Sequence, residues 1–266
     1  VQVEILIDDP THAKNGLLRA LQRTAAAAGF GEAFETPVYR GGSEVLVMWG
    51  AGRKDHFPAW QQQRKAGGRC IGFDPGYWGR SAPVGNARLH IDTMHPTPEQ
   101  VWRTPSAHRL GQTFTLREDA DPAGPIMIVG MGRKAALMRG ERPGQWEREK
   151  YEALRIEFPD RRIEYRPKKV SQAAESLSDI PHAAEAPIEQ GLVGCSLVVC
   201  ASSNVSLDAC VAGVPVRCDG GFAHVLYSGC EDPTPEQRLD LLNRSTWWNW
   251  HASEAAEIWA FAKTMM

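Results

Sequence analysis

Leu197-Val198-Val199-Cys200-Ala201-Ser202-Ser203-Asn204-Val205-Ser206-Leu207-Asp208-Ala209-Cys210-Val211-Ala212-Gly213-Val214-Pro215-Val216 is the stretch of this chain that decides its fold. The apolar run 197–200 has strand composition, and Ser202, Ser203 and Asn204 are turn and helix-cap residues. The segment 205–212 has helix length, and Gly213-Val214-Pro215 stops the helix and starts a new strand. A strand–turn–helix–strand unit of this kind belongs to a parallel sheet covered by helices. The polar turn lies at a helix start, where backbone N–H groups and the helix dipole favour an anion such as a diphosphate. One turn further on, Asp208 is placed to accept hydrogen bonds from vicinal ribose hydroxyls. The same residues also fit an ordinary βαβ unit whose serines only cap a helix.

Reading outward, the alternation of strand-like and helix-like runs occurs twice. In the first half, strands are expected at 3–7, 44–48, 69–73 and 88–91, with helices at 16–28 and 58–67. In the second, strands are expected at 125–129, 162–165 and 197–200, with helices at 146–158, 183–191 and 205–212. The region between, rich in Pro, Thr and charge, places the hinge at 119–125. The expected fold is α/β: two Rossmann-like domains facing a cleft, residues 1–122 and 123–245. A helical tail over 235–266 carries Trp247, Trp248, Trp250 and Trp259 as packing residues, with Ser253 capping its last segment. Its end, 246–266, is expected to pack on the first domain.

Composition narrows the function classes. The chain has 266 residues, 23% charged and 42% hydrophobic, in the range of an ordinary globular protein. No apolar run is long enough to span a bilayer, and the start reads as a strand rather than a signal peptide; a cytoplasmic location and no membrane partner follow. A net charge of −2 argues against a dedicated nucleic-acid-binding module. The six cysteines form no CxxC pair, so no metal site is expected, and Cys195, Cys200 and Cys210 read as small core residues.

Asp208-Ala209-Cys210-Val211-Ala212-Gly213-Val214-Pro215-Val216 resembles the acid-Ala-x-x-x-Gly-x-Pro-Val stretch in the donor domain of glycosyltransferases of the GT-B fold. In that family the acid contacts the donor's ribose and the preceding polar turn holds its phosphates. The usual acid is Glu, one methylene longer than Asp208. Gly130-Met131-Gly132-Arg133-Lys134 ends the first strand of the second half; its glycines admit a close ligand and its cations suit phosphate, although the P-loop spacing is absent. Tyr165-Arg166-Pro167-Lys168 resembles the Tyr-Arg-Pro-His-Pro of capsule-type members, with Lys168 in place of His. The resemblance implies a nucleoside-diphosphate-sugar donor, UDP-glucose by preference. Gly132, Arg133, Lys134, Arg166, Lys168, Ser202, Ser203, Asn204 and Asp208 would bind it, and no metal or other cofactor is needed to stabilise the leaving phosphate.

Glycosyl transfer to a hydroxyl with inversion needs a general base, expected at a strand end of the first half. Asp74, in Phe73-Asp74-Pro75-Gly76-Tyr77-Trp78, ranks first because aromatics flank it; Asp9, His12 and His56 are the other candidates, and each also fits a simple turn role. Val47-Met48-Trp49-Gly50, the Asp74 segment, Gly130–Lys134 and the tryptophan-rich tail together resemble phage-encoded glycosyltransferases, which often modify hydroxymethylated bases. That resemblance implies a 5-hydroxymethylpyrimidine in double-stranded phage DNA as acceptor, inside the host cytoplasm. Arg53-Lys54, Arg64-Lys65 and Arg161-Arg162 would then offer a phosphate-contacting face. The alternatives are a polysaccharide glycosyltransferase, a nucleotide-sugar epimerase on the same scaffold, or a nucleotide-binding phage accessory protein without catalysis. Sequence leaves the oligomeric state open.

Overall fold

The first strand, β1 (Gln2–Leu6), is buried at all but its first residue, as expected where helices cover both faces of a parallel sheet. The structure is a computed structural model and describes residues 1–79, 85–168, 177–230 and 232–266. After β1 come α1 (Asn15–Thr24), β2 (Glu32–Thr36), β3 (Val45–Trp49), α2 (Phe57–Lys65), β4 (Arg69–Pro75), β5 (Ala87–Ile91) and α3 (Pro98–Arg103). Helix α1 buries Leu17, Leu18 and Leu21 on one face, each worth about 1.5–3 kcal/mol of apolar burial. Strands β2-β1-β3-β4 pair in parallel, and β5 returns antiparallel to β4. Strand β2 is half exposed and charge-rich, a typical sheet edge, which is why its pattern escapes a sequence reading.

The second series is β6 (Ile126–Val129), α4 (Arg133–Met138), α5 (Gln145–Glu157), β7 (Ile163–Arg166), α6 (Ile188–Gly191), β8 (Leu197–Cys200), α7 (Val205–Ala212), β9 (Val216–Cys218), α8 (His224–Tyr227) and α9 (Pro235–Thr246). Its four strands are all parallel in the order β7-β6-β8-β9. Ile126, Ile128, Tyr165 and Val199 pack with Trp146 and Leu154 of α5 into its core. Helix α7 ends at Gly213, whose φ of 74° is the left-handed closure expected of the Gly-x-Pro re-entry.

The chain then returns to the first sheet as β10 (Asn249–Trp250), antiparallel to β5, followed by a 3₁₀ turn (Ala252–Glu254) and α10 (Ala255–Met265). The tail is therefore not one helix: a strand interrupts it among the tryptophans. Trp248, Trp250 and Trp259 are buried, and Trp259 Nε1 donates to Leu21 O at 3.0 Å, fastening α10 to α1. His251 caps the 3₁₀ turn, its Nδ1 accepting Ser253 N–H and its own N–H donating to Glu254, while Glu254, not Ser253, holds the N-cap position of α10 and makes no side-chain cap there.

Residues 1–104 and 245–266 form one compact unit, and residues 105–244 the other. The segment expected to be a hinge, 119–125, lies inside the second unit. Arg117 N–H and Asp119 N–H donate to Val211 O and Ala212 O, and Asp121 N–H to Cys195 O, so this connector is bonded along α7 and ahead of β8.

Candidate functional site

Both parallel sheets run in the same order: the second strand lies to one side of the first, the third and fourth to the other. The chain leaves neighbouring strands in opposite directions at β1/β3 and at β6/β8. In open α/β sheets ligands bind at such switch points.

In the second unit, the two loops at the switch point are the two turns singled out in the sequence. Strand β6 ends in Gly130-Met131-Gly132 and β8 in Ala201-Ser202-Ser203-Asn204. A Cβ on Gly130 would lie 2.7 Å from the Tyr165 hydroxyl, so glycine is required where β6 passes the β7 ring. Gly132 N-caps α4, and Arg133 and Lys134 stand exposed at its start. Ser203 Oγ accepts Val205 N–H at 3.3 Å, and Ser203 O accepts both Ser206 N–H and Ser206 Oγ–H. The first turn of α7 is thereby closed on itself, and Ser203 keeps its hydroxyl proton for donation. Asp208 is half buried within that first turn. A Cβ on Gly221 would lie 3.3 Å from Ser202 Cα, so the loop after β9 rests on the same turn.

Two features depart from the expectation. Arg166 turns its guanidinium to the Ala186 carbonyl and packs against Gly191, so it braces α6 instead of reaching the switch point. Lys168 follows it, half buried. The Met131 N–H is occupied by the fully buried Glu147, which accepts it at 2.6 Å; burial pushes the Glu147 carboxyl above its ordinary range.

Sequence reading missed Asp219, at the end of β9. It accepts Trp146 Nε1 at 2.5 Å, Lys150 Nζ at 3.0 Å and Arg139 at 3.3 Å. Burial pushes its carboxyl up, but those hydrogen bonds and the charges of Lys150 and Arg139 outweigh it and hold it below the usual carboxylate range. These partners lie 69 to 80 residues away, so no local spacing signals them. A pocket of about 260 Å³ between Glu118, Pro215, Tyr227 and Arg238 lies at the amino end of β9, the end of the sheet away from this chemistry.

In the first unit, the switch point holds Asp8, Arg53 and His56. Arg53 grips Asp8 with both terminal nitrogens, at 3.1 and 2.6 Å. His56 is buried ahead of α2; its Nδ1 lies 2.8 Å from Trp49 O and its Nε2 3.4 Å from Asp8 Oδ2, just past hydrogen-bond geometry. The carbonyl can only accept, so Nδ1 carries a proton, and in the neutral ring Nε2 holds the lone pair. Burial, helped by the Arg53 charge, lowers the His56 pKa despite the opposing pull of Trp49 O and Asp8. Burial also pushes Asp8 up, but His56 and Arg53 hold it below its ordinary range. A cleft of about 290 Å³ opens on Asp8, Asp55, His56 and Gln62.

The other base candidates are committed elsewhere. Asp9 accepts Thr11 N–H and Oγ–H, and His12 accepts Lys14 N–H; both are exposed and shape the turn into α1. Asp74 faces Arg88 across the β4/β5 pair and is held at 3.1 Å by its guanidinium and at 3.0 Å by the buried His90. Although burial works against ionisation, His90 and Arg88 keep the Asp74 carboxyl far below its usual range, which makes it a weak base. The Tyr77 beside it is buried. Of the basic pairs, Arg53 serves Asp8, Arg64 serves Asp92, Arg161 donates to Gly124 O and Arg162 pairs with Glu164. Among the described residues no grouping of His, Cys, Asp and Glu is arranged to hold a metal ion, and no helix is long and apolar enough to cross a membrane.

The solved structures most like this one include two from Thermosulfurimonas dismutans. The KpsC beta Kdo 2,4 transferase matches with a TM-score of 0.52 and 13% identity, over 91% of this chain and 89% of that one. Its beta Kdo 2,7 transferase matches at 0.50 and 14%, over 99% and 100%. The chain shares the fold of these two structures. A likeness to the spinosyn rhamnosyltransferase SpnG is weaker, with a TM-score of 0.32. No protein-family model matches the sequence. No curated protein is similar enough to count as a relative.

Proposed function

We propose that this chain is a glycosyltransferase that moves a sugar from a nucleoside-diphosphate sugar, UDP-glucose first among them, to a hydroxyl acceptor. One observation carries the reading: the two ligand-type turns, Gly130-Met131-Gly132 and Ser202-Ser203-Asn204, lie together at the β6/β8 switch point. Ser202 and Ser203 hydroxyls and the positive end of α7 receive the diphosphate there, with the exposed Arg133 and Lys134 as cations. Asp208 takes the ribose hydroxyls. These donors stabilise the leaving phosphate as charge develops on it.

His56 is the general base. Its tautomer is set by Trp49 O, it lines the cleft, and burial lowers its pKa, which favours the neutral imidazole. When Nε2 takes the acceptor's proton, the Asp8 carboxylate 3.4 Å away balances the new charge. Asp74, engaged by Arg88 and His90, is assigned a structural part in β4 and β5.

Calorimetric titration with UDP, followed by transfer assays, tests the reading. The acceptors to try are simple glycosides, polysaccharide ends and, from the phage resemblance, DNA carrying 5-hydroxymethylpyrimidine. The Kdo transferases among the structural neighbours add an acidic-sugar donor to the set. Failure of the chain to bind any nucleotide, or binding that a joint S202A/S203A change leaves untouched, would sink it.

A further inference from the structure

The cleft on the first unit has a lining that specifies more than the position of a base. About half of it is apolar, from Leu6, Pro37, Val38 and Ala59, and Val38 is 70% exposed. Tyr39 adds an aromatic ring whose hydroxyl is already committed to Gln63 at 2.7 Å. The polar remainder is Asp8, Asp55, His56 and Gln62. Among the described residues no lysine or arginine lines it, and Arg53 is spent on Asp8 in a two-point contact.

Three physical consequences follow. The volume, about 290 Å³, is at the lower limit of the roughly 300–1,000 Å³ of small-molecule sites, which suits one ring and little more. Carboxylates and a carboxamide are strong acceptors and partners for hydroxyl groups, while the apolar share suits the C–H surface of the same ring. Asp8 is offset by its Arg53 partner, so Asp55, with no cation among the lining groups, is the charge that repels a phosphate or a carboxylate brought into the cleft.

We propose that this cleft binds an uncharged glycoside as the acceptor, with a ring hydroxyl presented to His56, and discriminates against anionic acceptors. The proposal rests on the transferase reading for the word acceptor, but the cleft's preference is measurable without turnover. Asp55 sets that preference: it lines the cleft, is exposed, and takes no part in the Asp8–Arg53 grip.

The probes are methyl glucoside and methyl glucuronide, the same ring with and without a carboxylate. Binding to the full chain is followed by NMR through the His56 ring signals, with hydroxymethylated duplex DNA as a third arm. The glucoside is expected to shift the His56 signals, and the glucuronide to bind at least roughly tenfold more weakly. Asp55→Lys is expected to narrow or reverse that ratio. Equal or tighter binding of the glucuronide or of the DNA overturns the proposal, as does a glucoside that leaves the His56 signals unmoved. UDP titration of the same sample keeps the two readings apart. Loss of UDP binding strikes the transferase assignment, whereas the glucoside-to-glucuronide ratio decides the cleft's preference on its own.

Discussion

Replacing Asp8 by Asn tests the proposed base through its electrostatics. The Asp8 carboxylate lies 3.4 Å from His56 Nε2, and 29% of its side chain is exposed. Partial exposure sets the effective dielectric constant between the ~20 of a near-surface pair and the ~80 of water; at about 40, unit charges at this distance attract by about 2.4 kcal/mol. At about 1.36 kcal/mol per pH unit, losing that attraction lowers the His56 midpoint by roughly 1.5–2 pH units. The substitution also leaves Arg53 without its counter-ion, and its charge pushes the midpoint further the same way. His56 starts below the ordinary histidine value of about 6.5, because burial penalises the imidazolium. Two assays read the shift: an NMR titration of the His56 ring, and the acid limb of the kcat/KM profile with a saturating donor. Both should move to lower pH by the same amount, and turnover near pH 7 should fall because the imidazolium formed in the transition state has lost its partner. His56→Gln should remove the acid limb and cost roughly 10²–10⁴ in kcat. A midpoint that stays or rises in Asp8→Asn, or an acid limb that survives in His56→Gln, refutes His56 as the base.

Removing both hydroxyls of the β8 turn, Ser202→Ala with Ser203→Ala, should weaken UDP binding by roughly tenfold or more, since hydrogen bonds to a charged group contribute about 1.5–3 kcal/mol; calorimetry gives the Kd. Gly124→Ala would set a Cβ 1.7 Å from Gly194 O, so the connector must move off its neighbour. It should lower unfolding stability by about 3 kcal/mol or prevent folding, as urea melts will show, against about 0.5 kcal/mol for an exposed substitution. The Asp74 carboxyl titrates far lower folded than unfolded, where it has a pKa of about 3.9. Its contribution is therefore complete above about pH 4 and is lost as pH falls from 4 toward 2, where the unfolded chain binds the proton first. Stability of Asp74→Asn should fall less steeply across that window, and parallel curves for the two proteins would contradict the paired state.

Much of the second unit was legible because its cues are local. The run 197–216 carries strand, turn, helix and stop within twenty residues, and each boundary is marked by composition: the serines at the turn, Gly213 at the helix end. The structure follows it from β8 to β9. Elements without a local mark escaped. Strand β2 is a charged edge, β10 is two residues long and exists only by pairing with β5, and α4 is a single short segment after glycines. The tail shows the same limit. Its tryptophans are core residues as composition implies, but β-pairing at Asn249 and Trp250 overrides the helical pattern.

The site divides along the same line. The sequence by itself determined which turns end strands, because glycine and serine there answer to backbone geometry within a few residues. That suffices to mark Gly130-Met131-Gly132 and Ser202-Ser203-Asn204. It also marked His56 and Asp74 as candidates, Asp74 first, without sight of their charged neighbours. Only the tertiary structure shows those neighbours, since charge state depends on groups far along the chain. Arg88 and His90 quench Asp74 across a strand pair, while Trp49 O and Asp8 set the tautomer and the partner of His56 from two other strands. Asp219 gathers its cations over 69 to 80 residues in the same way. Local chemistry specifies the turn; the sheet order brings the turns and their electrostatic partners together at the switch points, and that order is a property of the folded chain.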